Sequence, residues 1–99
     1  MDKKHIGAYS ELLACSWLLN QGFDVFRNQS PHGYADLVAI DMNTQEVILI
    51  DVKTAVVYLR NDGTKGIYTS KLSEEQTIRG IKPIVVIKDT GEVMWGEYP

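Results

Sequence analysis

The chain has 99 residues, of which 44% are hydrophobic and 23% charged, and its formal net charge is −3. These values are typical of a folded globular protein and exclude a disordered chain, so we expect residues 1–99 to form a single domain. No apolar run approaches the roughly 20 residues that span a bilayer, and residues 12–19 lack the flanking pattern of a signal peptide. The single cysteine, Cys15, excludes an internal disulfide. We therefore expect a cytoplasmic protein with no membrane partner.

The charge is unevenly distributed along the chain. Residues 51–82 carry six basic and four acidic side chains, whereas residues 1–50 carry three basic and six acidic ones. A mildly basic stretch of this kind is more often a solvated surface than a phosphate-binding surface. Charge alone therefore does not identify a nucleic-acid partner.

Residues 5–21 are predicted to form a helix, because apolar residues recur there at spacings of three and four and Gly22 follows as a stop signal. Its apolar side chains surround the helix almost completely: Tyr9, Leu12, Leu13, Cys15, Trp17, Leu18 and Leu19. A helix this apolar is expected to be buried on more than one side, either in the core or against another subunit.

Short β-prone segments separated by turn residues follow this helix. They are residues 23–27, 34–42, 46–54, 83–88 and 92–95. Asn43 and Thr44, between the second and third of these segments, predict a β-hairpin. Residues 55–70 are predicted to be a loop, with short strand pieces at 56–60 and 66–69.

A second helix is predicted to begin at Ser73, because Ser73-Glu74-Glu75-Gln76 forms a capping box. It is expected to end at Gly80, since glycine commonly follows the last turn of a helix. The resulting order, α-β-β-β-α-β-β, predicts an α/β fold with a mixed central sheet flanked by helices.

The hairpin places two carboxylates together. With Asn43 and Thr44 at its centre, paired positions sum to 87, so Asp36 is expected opposite Asp51, with Cβ atoms roughly 4.5–5.5 Å apart. Lys53 points to the same face as Asp51, because strand side chains alternate. Two adjacent carboxylates repel each other unless positive charge lies between them. Lys53 supplies one such charge, and a divalent cation is a source of the rest.

A plainer interpretation is a surface ladder in which Lys53 only pairs with Asp36 or Asp51. Against it, both carboxylates lie within apolar segments, where charged groups are uncommon unless they are paired or coordinate a metal. Geometry therefore favours a metal site. Hard carboxylate oxygens without a cysteine or histidine cluster suit Mg²⁺, with Mn²⁺ able to substitute, better than Zn²⁺.

The pattern Ala35-Asp36 followed by Asp51-Val52-Lys53 resembles the signature of the PD-(D/E)XK endonuclease superfamily. Two positions depart from that signature. Ala35 stands where the signature has proline, and the acid of the triplet is Asp51 instead of the commoner glutamate. The resemblance implies a restriction-endonuclease-like αβββαβ core.

The first helix supports the same resemblance. Residues 7–11 (GAYSE) and 21–25 (QGFDV) are similar to the opening of archaeal Holliday-junction resolvases and of group I intron homing endonucleases in this superfamily. There, a glutamate on the first helix completes the acidic cluster, and that position is Glu11 here. The resemblance extends over about residues 5–95.

The resemblance implies a Mg²⁺-dependent DNA endonuclease of homing, resolvase-like or phage type, which leaves 5′-phosphate and 3′-hydroxyl ends. It implies that Asp36, Asp51 and the Val52 carbonyl hold the metal, with Glu11 as a direct or water-mediated ligand. Lys53 would orient or help deprotonate the attacking water, or stabilise charge on the phosphoryl oxygens. The partner would be double-stranded or branched DNA. The alternative is a catalytically silent protein of the same fold that binds nucleic acid or serves as an assembly subunit.

Four further residues are candidates for contact with DNA: Ser30, His32, Lys71 and Gln76. His32 has the plainer interpretation of a loop histidine, and the capping box by itself explains Gln76. The surplus apolar surface of the first helix, together with the need for two cuts on antiparallel strands, predicts a homodimer or homotetramer.

Overall fold

The computed structural model describes residues 2–30 and 33–96. The elements in chain order are α1 (Lys3–Asn20), β1 (Phe23–Arg27), β2 (Leu37–Asp41), β3 (Val47–Leu59), β4 (Lys65–Tyr68), α2 (Glu74–Ile78), β5 (Lys82–Ile87) and β6 (Val93–Trp95). The strand order is β1-β2-β3-β5-β6, and β4 pairs with β3 outside this path. Strands β3 and β5 are parallel, and the other pairs are antiparallel. The predicted α/β class with a mixed sheet is therefore confirmed.

The β2–β3 hairpin has the predicted register. Leu37 pairs with Ile50, and each following pair also sums to 87. The turn is stabilised by Asp41, whose Oδ1 accepts the main-chain N–H groups of Asn43 and Thr44 at 2.8 and 3.2 Å. A short side chain that accepts local N–H groups in this way stabilises a tight turn. The predicted hairpin centre is confirmed.

Helix α1 packs on one face of the sheet. The buried core contains Ala14, Leu18, Leu37, Ala39, Ile48, Ile50, Ile84 and Val86. Ser10 is buried in the same face, where its hydroxyl forms a 2.6 Å hydrogen bond with the hydroxyl of Thr54 on β3. The rings of Trp17 and Trp95 meet edge to face, with centroids 5.6 Å apart. These contacts fix α1 across the central strands.

The other side of α1 faces outward. Leu12 is 66% exposed and Leu19 is 59% exposed. Our expectation that the helix is buried on more than one side is therefore not met within the chain itself, because one sheet face receives only one side of a helix. Helix α1 therefore does not pack both of its faces against the sheet of the same chain. Within the described ranges, neither helix has the length and apolar character needed to cross a membrane.

The segment after residue 54 differs from the prediction. The predicted strand pieces at 56–60 and 66–69 are present, as the end of β3 and as β4, but β3 runs without a break to Leu59, so the segment is a paired extension of the sheet and not the predicted loop over 55–70. The reason is local, since residues 55–59 are strongly β-prone and only residues 60–64 form the turn. Within the turn, Gly63 has φ +87°, a conformation that glycine adopts at low cost. The element order is thus α-β-β-β-β-α-β-β.

Helix α2 begins at the predicted capping box. Ser73 Oγ accepts the Gln76 N–H at 3.1 Å, and Gln76 Oε1 accepts the Ser73 N–H at 2.9 Å. The helix has only five residues, and none of its side chains is buried. Our expectation that both helices cover the sheet is therefore correct only for α1, because α2 is too short to present an apolar face.

Candidate active site

Asp36 lies directly before β2, at the point where the chain enters the hairpin. Its N–H donates to the Ile50 carbonyl at 2.8 Å, and its Oδ2 accepts the Val52 N–H at 2.7 Å. The carboxylate thus accepts a main-chain N–H that, in a regular β-ladder, a carbonyl oxygen of the neighbouring strand accepts. This contact ties the first acid of the pattern to the middle residue of the Asp51-Val52-Lys53 triplet.

Asp51 is the buried acid of the site, with 7% of its surface exposed. Its Oδ1 accepts a hydrogen bond from Gln76 Nε2 at 3.1 Å. Its Oδ2 lies 3.0 Å from Lys53 Nζ, an ion-pair distance. Oδ2 is buried and makes no well-aligned hydrogen bond among the described residues, so the charge of the nearby Lys53 ammonium serves it there. A buried carboxylate is costly unless positive charge compensates it, and Lys53 supplies one such charge beside two acids.

The electrostatics of Asp36 show that the acids lie close together. The pKa of its carboxyl is raised to about 6 from the usual 3.8, and burial is the largest cause. The charges of Asp51 and Glu11 and the carboxyl contact with Asp51 contribute to this rise, whereas the Val52 N–H lowers the pKa. Both other predicted acids therefore act on Asp36, and their field favours a proton or a cation there.

Glu11 approaches Asp36 from α1 and is partly buried. Its Oε1 lies 3.7 Å from Arg27 Nε at the end of β1. A polar cleft of about 290 Å³ separates α1 from the loop before β2. Its lining residues are Glu11, Arg27, Asn28, Gln29, Ser30, Gly33, Ala35 and Asp36. The structure thus brings the predicted residues Glu11, Ser30 and Asp36 to one cavity.

The residues present fit a divalent metal ion. Asp36 and Asp51 offer hard oxygen donors, and Asp51 Oδ2 makes no well-aligned hydrogen bond beside its ion pair with Lys53. Within residues 2–30 and 33–96, no group of three or more His, Cys, Asp or Glu side chains lies close enough to form a complete ligand set. The pair Asp36 and Asp51 would therefore be the direct protein ligands, and Glu11 is better placed to act through water.

Two residues of the cleft were not predicted from the sequence. Asn28 shapes the loop, because its Nδ2 donates to the Ala35 carbonyl at 2.7 Å and its Oδ1 accepts the Ser30 N–H at 2.8 Å. A Cβ atom at Gly33 would collide with the Asn28 side chain, so a larger residue there would displace Asn28 from its hydrogen bonds. Arg27 was also not predicted. Its basic side chain at the end of β1, the strand that follows the helix with Glu11, is a sequence signal for this ion pair.

The remaining candidates lie on the other side of the acidic pair. Strand β3 contacts α1 through Thr54, so Lys53 projects to the opposite face of the sheet. There Lys53 and Lys71 line a groove of about 480 Å³, with Tyr68, Pro83 and Val85 among the lining residues.

Gln76 lies next to the acids, because its amide contacts Asp51 directly. His32 falls outside the described residues. The DNA contacts of Ser30, His32, Lys71 and Gln76 stay predictions.

Comparison with known proteins bears on the fold. No protein-family model matches the chain, and comparison with curated proteins finds no matching sequence. The chain is similar to a solved structure described as "The structure of a bacterial homing endonuclease: I-Ssp6803I", with a TM-score of 0.69 and 14% sequence identity. The similarity covers 97% of this chain and 69% of that chain. The chain therefore has the mixed α/β fold of this bacterial homing endonuclease.

Proposed function

We propose that the protein is a Mg²⁺-dependent DNA endonuclease of the PD-(D/E)XK type, with Mn²⁺ able to replace Mg²⁺. The observation that carries this proposal is the convergence of Asp36, Asp51 and Lys53, in which two neighbouring carboxylates have one lysine ammonium, 3.0 Å from the buried Oδ2 of Asp51. The structural similarity to a bacterial homing endonuclease supports the same class of activity. Among the subtypes, homing, resolvase-like and phage-type enzymes all remain compatible with the fold.

Each residue has a role that follows from its position. Asp36 and Asp51 would hold the metal together with the carbonyl of Val52, and Glu11 would contribute through water. Bound there, Mg²⁺ would polarise the scissile phosphate and lower the pKa of a nearby water. Lys53 remains paired with Asp51 at 3.0 Å, so its ammonium group can orient the attacking water or stabilise charge that develops on the phosphoryl oxygens. The products would carry 5′-phosphate and 3′-hydroxyl ends.

The groove beside Lys53 offers a path for DNA. Lys53 and Lys71 supply positive charge, and the exposed ring of Tyr68 lines the same groove. Basic and aromatic side chains together suit a phosphate backbone and its bases. The polar cleft with Ser30 lies on the other side of the acidic pair. Double-stranded or branched DNA placed across both cavities would bring a phosphate to the acids.

The second candidate is a catalytically silent protein of this fold that binds nucleic acid or serves as an assembly subunit. Plasmid cleavage separates the two candidates. We expect supercoiled plasmid to be cut with Mg²⁺ or Mn²⁺ and to stay intact with EDTA. Protein carrying Asp36→Asn, purified in parallel, controls for a contaminating nuclease. Intact plasmid with both metals, together with retained DNA binding, would support the silent protein instead.

A further inference from the structure

Helix α2 is held in place by polar contacts and not by a hydrophobic core. It has five residues and no buried side chain, and Ile78 is among the exposed hydrophobic residues. An isolated helix of this length is unstable in water. The position of α2 therefore depends on its contacts with the rest of the protein. Two of its side chains make contacts beside the candidate active site.

The first contact is made by the amide of Gln76. Its Nε2 donates to the Tyr34 carbonyl at 2.9 Å and to Asp51 Oδ1 at 3.1 Å. Its Oε1 accepts the Ser73 N–H at 2.9 Å. An amide NH₂ group has two hydrogens to donate, so both are used within the protein. Gln76 therefore joins the main chain of the loop before Asp36 to the buried carboxylate of β3.

The second contact is made by Arg79, at the end of the same helix. Its guanidinium carbon lies 4.2 Å from the centre of the Tyr34 ring, which is a cation–π distance. Its Nη2 also lies 2.9 Å from Glu75 Oε1, which orients the guanidinium. Tyr34 precedes Asp36 by two residues, so α2 contacts the Asp36 loop through both its main chain and its side chain.

We propose that Gln76 is a positioning residue that fixes Asp51 relative to Asp36, with Arg79 as its support. This inference rests on the proposed metal-dependent function. The two carboxylates repel each other, so restraints must hold them close without metal, and the Ile50 and Val52 hydrogen bonds restrain only Asp36. Gln76 adds a restraint on Asp51, because its neutral amide donates to Oδ1 and to the Tyr34 carbonyl. This contact leaves Oδ2 to Lys53 and a metal ion. This role replaces the predicted contact of Gln76 with DNA, because its amide is already occupied.

The test compares Gln76→Leu with Ser73→Ala. Both substitutions remove part of the capping box, but only the first removes the donor to Asp51 and Tyr34. We expect Gln76→Leu to weaken Mn²⁺ binding and to lower kcat by roughly 10- to 100-fold, the usual effect of losing a group that orients a metal ligand. The KM for DNA should stay unchanged. Ser73→Ala should keep Mn²⁺ affinity and kcat within about twofold, and Arg79→Ala should give an intermediate loss.

A further measurement, made without metal or DNA, tests the positioning role of Gln76 directly. The Val52 N–H donates to Asp36, so its NMR chemical shift in EDTA reports the position of that carboxylate. We expect Gln76→Leu to shift this resonance and Ser73→Ala to leave it in place. An unchanged Val52 resonance in Gln76→Leu overturns the positioning role, whether or not the protein cleaves DNA. A raised KM with unchanged kcat also overturns it and assigns Gln76 to DNA. If the native protein neither cleaves DNA nor binds Mn²⁺, the proposed function fails, and the Val52 resonance still decides whether Gln76 positions Asp36.

Discussion

The carboxylate of Asp36 and the main-chain N–H of Val52 form a 2.7 Å hydrogen bond across the mouth of the β2–β3 hairpin. Val52 lies between Asp51 and Lys53 in sequence, so this one bond ties the loop acid to the three-residue segment that carries the other acid and the lysine. The bond stabilises the charged form of Asp36, whereas burial and the charge of Asp51 destabilise that form. The effect of these opposing contributions on stability can be measured in the metal-free protein.

Asp36→Asn is expected to melt higher than the native protein in EDTA. The amide oxygen of asparagine can still accept the Val52 N–H, while the repulsion from Asp51 is lost. The substitution should also remove most of the stabilisation by metal. In the native protein, one bound ion at a hundredfold excess over its dissociation constant adds about 2.7 kcal/mol. Calorimetry with EDTA and with Mn²⁺ measures both effects. Asp36→Ala is the matched variant, because it removes the charge and the hydrogen bond together. If Mn²⁺ raised the melting temperature of all three proteins equally, the metal site would be contradicted.

The pH dependence of stability is expected to carry the signature of Asp36. Its pKa in the folded protein is raised to about 6 from 3.8, so the folded state holds this proton more tightly than the unfolded state does. The resulting stabilisation is fully present below about pH 4 and is lost as the pH rises through 6.

Urea unfolding in EDTA at pH 4 to 7.5 tests this sign. The free energy of unfolding of the native protein, minus that of Asp36→Asn, should fall by on the order of 1–3 kcal/mol across this range. Taking the difference removes the contribution of other groups that titrate in the same way in both proteins. A difference that is flat, or that rises with pH, would show that the pKa of Asp36 is not raised in the folded protein.

Lys53→Ala is expected to leave the protein folded and able to bind DNA while cleavage falls by about 10²- to 10⁴-fold, the range typical of a side chain that assists proton transfer. The side chain is partly exposed and pairs with Asp51 at 3.0 Å, so its loss removes little packing. Single-turnover cleavage and a gel-shift assay measure the two properties separately. The control is Lys88→Ala, at an exposed lysine after β5. Near-normal turnover of Lys53→Ala would show that Lys53 takes no part in the mechanism.

Lys71→Ala is expected to weaken DNA binding to a similar extent for all sequences. The residue is exposed in the groove beside Lys53, where a contact to phosphate would be independent of the base. Losing one such contact reduces the slope of log affinity against log salt by about one. Fluorescence anisotropy between 50 and 200 mM salt measures this slope. An unchanged slope places Lys71 outside the DNA interface.

The protein is expected to be a homodimer or homotetramer through the outward face of α1. Leu12 and Leu19 are both more than half exposed on this face, and a surplus apolar face of this kind is typical of an interface. Leu12→Glu with Leu19→Glu should lower the mass measured by light scattering to that of one chain. Thr90→Glu, at an exposed turn, should not change the mass. A native protein near 11 kDa that produces only nicked circles would contradict this prediction.

The sequence by itself determined the helix, the hairpin and its register. Periodicity of apolar residues predicts α1, and the position of Asn43-Thr44 fixes which residues pair, because pairing in a hairpin depends only on its centre. The register in turn brings Asp36 and Asp51 together and puts Lys53 on the same face as Asp51. These features depend on interactions between residues near in sequence, so a local pattern is sufficient to predict them.

Only the tertiary structure decided which groups surround the acids. The amide of Gln76 reaches Asp51 across 25 positions of sequence. The contact between Glu11 and Arg27 likewise joins α1 to β1 across 16 positions. The sequence pattern at Gln76 is fully explained by its capping box, and the second use of the same side chain is visible only when α2 lies against the Asp36 loop. Contacts of this kind depend on how distant elements pack, which no local pattern encodes.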